Sequence, residues 1–225
     1  MIKRSSKFNW ILEPSKFLSK EEARKLLETA RDRAEVAYAK RQKTPVRDYF
    51  IVDLALSTGL RVMEIAQLDC GDIFSRDGIS SLLLRNGKYG KRRLVRFSEL
   101  LKDHLNEYMS WKQDIGEPTG PCDPLFLSSN TGSYLTTRAI EKAFKRTAAK
   151  AGLSAHYSIH CLRHTYACQL YKASGYNLRL VQKQLGHSSC IFRSKGATDS
   201  ATKEPPIPVK EPPVPLKGAT PLWIT

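Results

Sequence analysis

Residues 156 to 190 read HYSIHCLRHTYACQLYKASGYNLRLVQKQLGHSSC, and the remaining elements of the chain are interpreted around this segment. His160 and Arg163 are three residues apart, so a helix beginning here would place both on one face of its first turn. Backbone N–H groups at a helix N-terminus attract anions, and this spacing therefore predicts a phosphate-binding geometry. A second short helix, residues 178 to 185, is predicted to end just before His187.

The charge of the chain indicates a nucleic-acid partner. Its 225 residues carry a formal net charge of +15, and a strongly basic domain is typical of proteins that bind nucleic acid. An anionic membrane or an acidic protein is the weaker alternative. No apolar run approaches the roughly 20 residues that span a bilayer, and no apolar signal core follows the first residues. We therefore expect a cytoplasmic protein with no membrane partner.

The cysteines predict reduced thiols. Five cysteines at irregular spacing do not describe a disulfide framework. His164 and Cys168 are one helical turn apart, but two ligands do not make a zinc site. We expect no metal cofactor.

The first half of the chain reads as consecutive helices. Residues 19 to 22, Ser-Lys-Glu-Glu, form a capping box, and the apolar spacing after them predicts a helix from residue 20 to about residue 39. Thr44 and Pro45 predict the N-cap and first position of a second helix that is apolar nearly all round. After a break at a glycine, Arg61 is expected at the next helix N-terminus.

The second half adds a small sheet and further helices. The elements predicted there are a hairpin of residues 79 to 85 and 92 to 97 around a cationic loop, a helix from residue 98 to about 113, a short strand at 125 to 127 and a basic helix from 138 to 151. Together these elements predict a mainly α fold with a small antiparallel β-sheet, of the α+β class.

Basic side chains on the hairpin and on the basic helix are candidates for DNA contact: Lys91, Arg92, Lys142, Lys145 and Arg146. A solvated helix stripe is the alternative, and we favour phosphate contact. Such contacts would set affinity and not sequence choice.

Three regions are expected along the chain. Residues 1–16 form a basic arm, residues 17–190 form one domain, and residues 191–225 form a tail. The tail contains the near-repeat KEPPIPV and KEPPVPL, which can form neither a helix nor a ladder and predicts a disordered, polyproline-like end.

Separate motifs resemble the signatures of the tyrosine recombinase (phage integrase) family. They are S-T-G-L-R-V-x-E-I-x-x-L at residues 57 to 68, G-K-x-x-K-x-R-x-V at 87 to 95, H-x-L-R-H-T-x-A at 160 to 167, and L-G-H-S-S at 185 to 189. The signature around Arg61 and the signature around His160 and Arg163 are separate in the chain and occur in the family's order. Coincidence is therefore a poor explanation. The resemblance implies the catalytic-domain fold of that family.

The resemblance also implies five catalytic residues, Arg61, Lys88, His160, Arg163 and His187. The two arginines would hold the scissile phosphate, His160 would take the proton of the nucleophile, and Lys88 would protonate the leaving 5′-oxygen. Lys91 is the competitor for that last role. The implied partners are double-stranded DNA and intact recombinase subunits, with no small-molecule substrate and neither metal nor nucleotide as cofactor.

The sequence departs from the family at its end. The family's nucleophilic tyrosine follows the last signature histidine, near Gly196 here, yet no tyrosine follows Tyr176. Tyr166, Tyr171 and Tyr176 are expected in the core. A short arm also stands where relatives usually carry a helical DNA-clamping domain. We therefore expect impaired DNA strand cleavage and rejoining, and the alternatives are a non-catalytic regulator of recombination sites and a metal-independent DNA-nicking hydrolase.

Overall fold

A computed structural model describes residues 16–76, 78–85 and 92–186. The helices of this part of the chain are α1 (Lys20–Ala39), α2 (Lys43–Thr58), α3 (Val62–Ala66), α4 (Glu99–Asp114), α5 (Thr137–Lys150), α6 (His160–Ala173) and α7 (Leu178–Leu185). The strands are β1 (Ile73–Arg76), β2 (Ile79–Leu84) and β3 (Arg93–Arg96). The predicted fold class, mainly α with a small antiparallel sheet, is confirmed.

Helix α2 lies at the centre of the helical layer. It is apolar nearly all round, and Val46, Phe50 and Leu54 are among its fully buried side chains. Helices α1, α4, α5 and α6 all pack against it. A helix without a polar face must be covered on every side, so this composition places α2 inside the domain.

The three strands form one antiparallel sheet in the order β1, β2, β3. Leu82 of β2 pairs with Ile73 on one side and with Val95 on the other. Leu82 and Val95 are fully buried, so one face of the sheet joins the core. The predicted hairpin is confirmed, whereas strand β1 was not predicted.

Local capping signals explain the helix boundaries. The Ser19–Glu22 capping box is present at the start of α1, as predicted. The predicted start of α2 is wrong, because Gln42 is the N-cap and the helix begins at Lys43. Pro45 then occupies the third helical position, where its missing N–H costs nothing since the first N–H groups of a helix have no intrahelical partner.

Two further expectations differ from the structure. Residues 125 to 127 form no extended strand; among them, Leu127 makes an isolated bridge to Tyr134. Tyr171 and Tyr176 are not in the core, because their side chains are 37% and 68% exposed. They meet edge to face where α6 turns into α7, so only the first half of α6 contributes to the interior.

Several predictions concern residues outside the described ranges. These are the N-terminal arm, the loop of the hairpin, His187 and the proline-rich tail. Among the described helices, none is both long enough and apolar enough to cross a membrane.

Candidate phosphate-binding site

Arg61 lies at the turn between α2 and α3, which Gly59 makes possible. Gly59 has a left-handed φ of +64° and caps α2. A β-carbon at Gly59 would lie 2.4 Å from Cδ1 of Tyr166 on α6. Glycine is therefore required both for the backbone conformation and for the close approach of α6. The turn leaves Arg61 at the N-cap of α3, as its sequence position predicted.

Arg163, on the first turn of α6, points back to the same turn. Its Nη1 donates to the carbonyl oxygen of Gly59 at 2.6 Å, and its Nη2 donates to the carbonyl oxygen of Leu185 at 2.8 Å. Arg163 thus joins the α2–α3 turn to the end of α7. Burial lowers the pKa of Arg163 to about 10, and the nearby charge of Arg61 acts in the same direction. The side chain is still a cation at neutral pH.

Glu64 connects the two arginines. It was not among the site residues predicted from the sequence. Its buried carboxylate accepts the backbone N–H of Arg61 at 2.8 Å and Nη1 of Arg61 at 2.9 Å. Oε2 of Glu64 is also 4.0 Å from Nη1 of Arg163. The available signal was position, because a glutamate three residues after an N-cap reaches back to the N-cap N–H.

Arg93, the first residue of β3, is the second residue that sequence reasoning missed. It donates from Nη1 to Oε1 of Glu64 at 2.9 Å and from Nη2 to Oε2 at 3.2 Å. Its side chain is only 15% exposed. Strand alternation was the available signal, since Arg93 lies on the same face of β3 as the buried Val95. We call Arg61, Glu64, Arg93 and Arg163 the arginine cluster.

His160 is the first residue of α6 and lies one turn before Arg163. It is exposed, so its imidazole is accessible from the same end of the helix. Its neighbour His164 has a lowered pKa, first because of burial and then because of the charges of Arg163 and His160. An imidazole is a side chain that can accept a proton from a nearby hydroxyl group.

Three predicted site residues, Lys88, Lys91 and His187, lie outside the described residues. The described residues that adjoin them in the chain are Arg85, Arg92 and Gly186. Arg93 follows the hairpin loop, and Gly186, which precedes His187, lies against the Arg93 guanidinium.

The residues predicted to contact DNA differ in whether their side chains are bonded to other groups of the protein. Arg92 and Lys142 are exposed. Lys145 donates to the carbonyl oxygen of Ala155 at 2.5 Å. Arg146 makes two hydrogen bonds, of 2.8 and 3.1 Å, to the buried carboxylate of Asp48. Arg146 therefore stabilises the contact between α5 and α2, whatever else it does.

The cluster has a charge suited to an anion. Three guanidinium groups surround a single carboxylate, so positive charge is in excess. Arginine donors match the oxygens of a phosphate diester, and partial burial strengthens the attraction. The side chain of Arg61 is 30% exposed, which gives a ligand access to it. The arrangement can hold a phosphate group.

Known proteins are similar to this chain in fold and in sequence. Residues 16–191 match the phage integrase family. The chain is 31% identical over 159 residues to a tyrosine recombinase of Agathobacter rectalis, covering 71% of this chain and 49% of the relative. It is 33% identical over 144 residues to the tyrosine recombinase XerC of Proteus mirabilis, covering 64% and 45%. The chain thus spans about half the length of these curated relatives.

A solved structure gives the same result. The XerH site-specific recombinase bound to its palindromic difH substrate, in a post-cleavage complex, superimposes with a TM-score of 0.64 at 27% identity, covering 84% of this chain and 52% of that one. All described helices and strands fall within residues 16–191, the range that matches the phage integrase family. The chain belongs to the phage integrase family and has the fold of a tyrosine recombinase catalytic domain.

Proposed function

We propose that this protein binds double-stranded DNA and holds one backbone phosphate between Arg61 and Arg163. The observation that carries the proposal is the convergence of these two arginines, from distant parts of the chain, on the single carboxylate of Glu64. The relatives named recombinases and the DNA-bound XerH structure support DNA as the ligand. The net charge of +15 supports it independently.

The proposed chemistry is the family's strand cleavage and rejoining. Arg61 and Arg163 would bind the non-bridging oxygens of the scissile phosphate and stabilise the charge that develops in the transition state. His160 would accept the proton of the attacking hydroxyl, and Lys88 would protonate the leaving 5′-oxygen, with Lys91 as the alternative donor. His187 would donate a hydrogen bond to the phosphoryl group. The proposal needs no metal and no nucleotide.

We propose further that the chain alone does not complete the covalent step. A tyrosine hydroxyl must attack the phosphorus, forming a phosphotyrosine bond as the 5′-oxygen leaves. No tyrosine occurs between His187 and Thr225. Tyr166 packs against Gly59 and has a raised pKa because of burial, so it is a poor nucleophile. An intact recombinase subunit would have to supply the missing group.

Salt-dependent binding tests the DNA-binding part of the proposal. Affinity for a duplex of mixed sequence should fall steeply as salt rises, because phosphate contacts release counterions. Arg61→Gln should weaken binding, while Arg31→Gln removes the same charge from an exposed ion pair on α1 and is the matched control. Equal affinity at low and high salt would exclude DNA as the main partner.

Incubation with supercoiled DNA tests the catalytic part. The purified chain should bind the DNA but form no covalent adduct and relax no supercoils. A phosphotyrosyl adduct on the unmodified chain would overturn the impairment. Free 3′-phosphate ends without an adduct would instead support the hydrolase, and replacing the end with a family-like segment carrying a tyrosine near Gly196 should restore cleavage. Binding with no cleavage even then would favour the regulator of recombination sites.

A further inference from the structure

We propose that Arg93 is a positioning residue of the phosphate site, a role that rests on the proposed function. By holding both oxygens of Glu64, Arg93 limits how far that carboxylate neutralises Arg61 and Arg163. It also fastens the start of β3 and the end of α7 to the arginine cluster. In the sequence, Lys88 lies shortly before β3, and His187 follows the end of α7.

The geometry of the Glu64 carboxylate is the first support. Arg93 contacts both oxygens in a bidentate arrangement, whereas Arg61 reaches only Oε1 with its guanidinium. Arg163 is farther away, at 4.0 Å. A bidentate guanidinium is the stronger and more directional partner for a carboxylate. Arg93 is therefore the principal counterion of Glu64.

The balance of charge follows from this arrangement. Without Arg93, one buried carboxylate would be shared by Arg61 and Arg163 alone. Its negative charge would then cancel a larger part of the positive potential that these arginines present to a phosphate. Arg61 could also rotate into a bidentate contact with Glu64 and leave the position in which it meets DNA. Arg93 prevents both effects.

The burial of Arg93 is difficult to explain by stability alone. Among the described residues its Nε, which is buried, has no hydrogen-bond partner. A buried, incompletely satisfied guanidinium costs free energy that an apolar side chain would not. A role in the charge balance of the site gives a reason for an arginine at this position.

Gly186 provides the second, independent contact. A β-carbon at Gly186 would lie 2.2 Å from Nη1 and 2.6 Å from Cζ of Arg93, so the guanidinium lies directly against this glycine. The side chain of Gln184 also donates to the carbonyl oxygen of Arg96 at 2.6 Å. These two contacts attach the end of α7 to β3 beside the phosphate site.

Titration with inorganic phosphate tests the role of Arg93. The full chain, labelled with nitrogen-15, is titrated at constant ionic strength, and the Nε resonances of Arg61 and Arg163 report binding. Arg93→Gln should weaken phosphate binding about fivefold, the effect of losing one charge near the anion in a partly solvated cluster. Arg93→Lys keeps the charge but cannot hold both oxygens, so its affinity should lie between those of Arg93→Gln and the unsubstituted chain.

Gly186→Ala is the sharper variant, because it displaces the Arg93 guanidinium without changing any charge. Gly175→Ala is its matched control. Gly175 has the same φ of +64°, so an alanine there has the same backbone strain, but nothing lies within 4 Å of its new β-carbon. Gly186→Ala should weaken phosphate binding about two- to fivefold, and Gly175→Ala should leave it unchanged.

The outcomes separate this inference from the proposed function. If phosphate shifts neither arginine resonance in the unsubstituted chain, the phosphate site itself is wrong, and the role of Arg93 fails with it. If phosphate binds but Gly186→Ala matches Gly175→Ala, the positioning role alone is wrong. The same conclusion follows if folded Arg93→Gln binds phosphate as well as the unsubstituted chain. Should Arg93→Gln fail to fold, the two glycine variants decide the question.

Discussion

Replacing Glu64 by glutamine tests how the arginine cluster is held together. Glutamine is nearly isosteric with glutamate, so the change removes a charge with little change in volume. It leaves three arginines without their shared carboxylate, and its amide nitrogen is a donor placed among donors. Both Glu64 oxygens currently accept hydrogen bonds. We expect a large loss of stability.

The magnitude follows from the burial of the group. The side chain of Glu64 is 6% exposed, and that of Arg93 is 15% exposed. Removing one partner of a buried ion pair typically costs about 3–5 kcal/mol, because the remaining charge is buried without compensation. We expect about 3 kcal/mol here, since Arg61 can turn towards solvent and relieve part of the repulsion.

The assay is urea unfolding followed by circular dichroism, with and without phosphate at matched ionic strength. The three arginines of the variant form an anion site without a competing carboxylate, so phosphate should stabilise the variant more than the unsubstituted chain. With about 50 mM phosphate and a dissociation constant of about 5 mM, ligand binding contributes about 1.4 kcal/mol.

Asp48→Asn is the matched control. Asp48 is also a buried carboxylate held by an arginine, but Arg146 is its only bidentate partner among the described residues. Burial raises the pKa of Asp48 despite this arginine, so its removal should cost less than that of Glu64. Phosphate should rescue Asp48→Asn no more than the unsubstituted chain. Equal phosphate rescue of both variants, or none of Glu64→Gln, would refute the reasoning.

Three other substitutions test the framework around the site, each by urea unfolding. Gly59→Ala should lower the free energy of unfolding by about 2–4 kcal/mol, because its β-carbon would meet a tyrosine ring at 2.4 Å. Gly132→Ala, which has the same sign of φ but open space around the new β-carbon, should lower it by about 1 kcal/mol. Equal losses would contradict the close approach of the tyrosine ring to Gly59. The hydrogen bond from His104 to Asp53 raises the pKa of His104. The loss of stability caused by His104→Gln should therefore be full below about pH 6.5 and should become smaller as pH rises through the folded-state pKa of His104. A loss independent of pH would contradict this. Lys112→Met should lower the free energy of unfolding by about 2–4 kcal/mol, since the buried ammonium donates to two backbone carbonyl oxygens to which methionine cannot donate. An unchanged free energy of unfolding would show that packing alone matters at this position.

The helices and the hairpin were predictable because their signals are local. Capping residues, apolar spacing and glycine positions act within a few residues of the element they define. The predicted bounds of helix α1, residue 20 to about residue 39, and of helix α7, residues 178 to 185, agree with the structure. Arg61, His160 and Arg163 each lie beside a local feature, a turn or a helix start, so their positions in the fold were predictable, while their roles at the site stay predictions.

Only the tertiary structure decided which partners these side chains have. Arg93 and Arg146 both lie in basic segments of the sequence, yet one binds Glu64 and the other binds Asp48. Neither pairing can be read from spacing, because the partners come from segments that meet only when β3 and α5 pack against the first helices. Likewise, the aromatic pattern of α6 did not reveal that Tyr171 and Tyr176 extend beyond its packed half. Local signals predicted most of the secondary elements, and the sequence shows which residue types are available for phosphate chemistry. Long-range packing decided how their charges are balanced, since an ion pair depends on distance in space and not on distance along the chain.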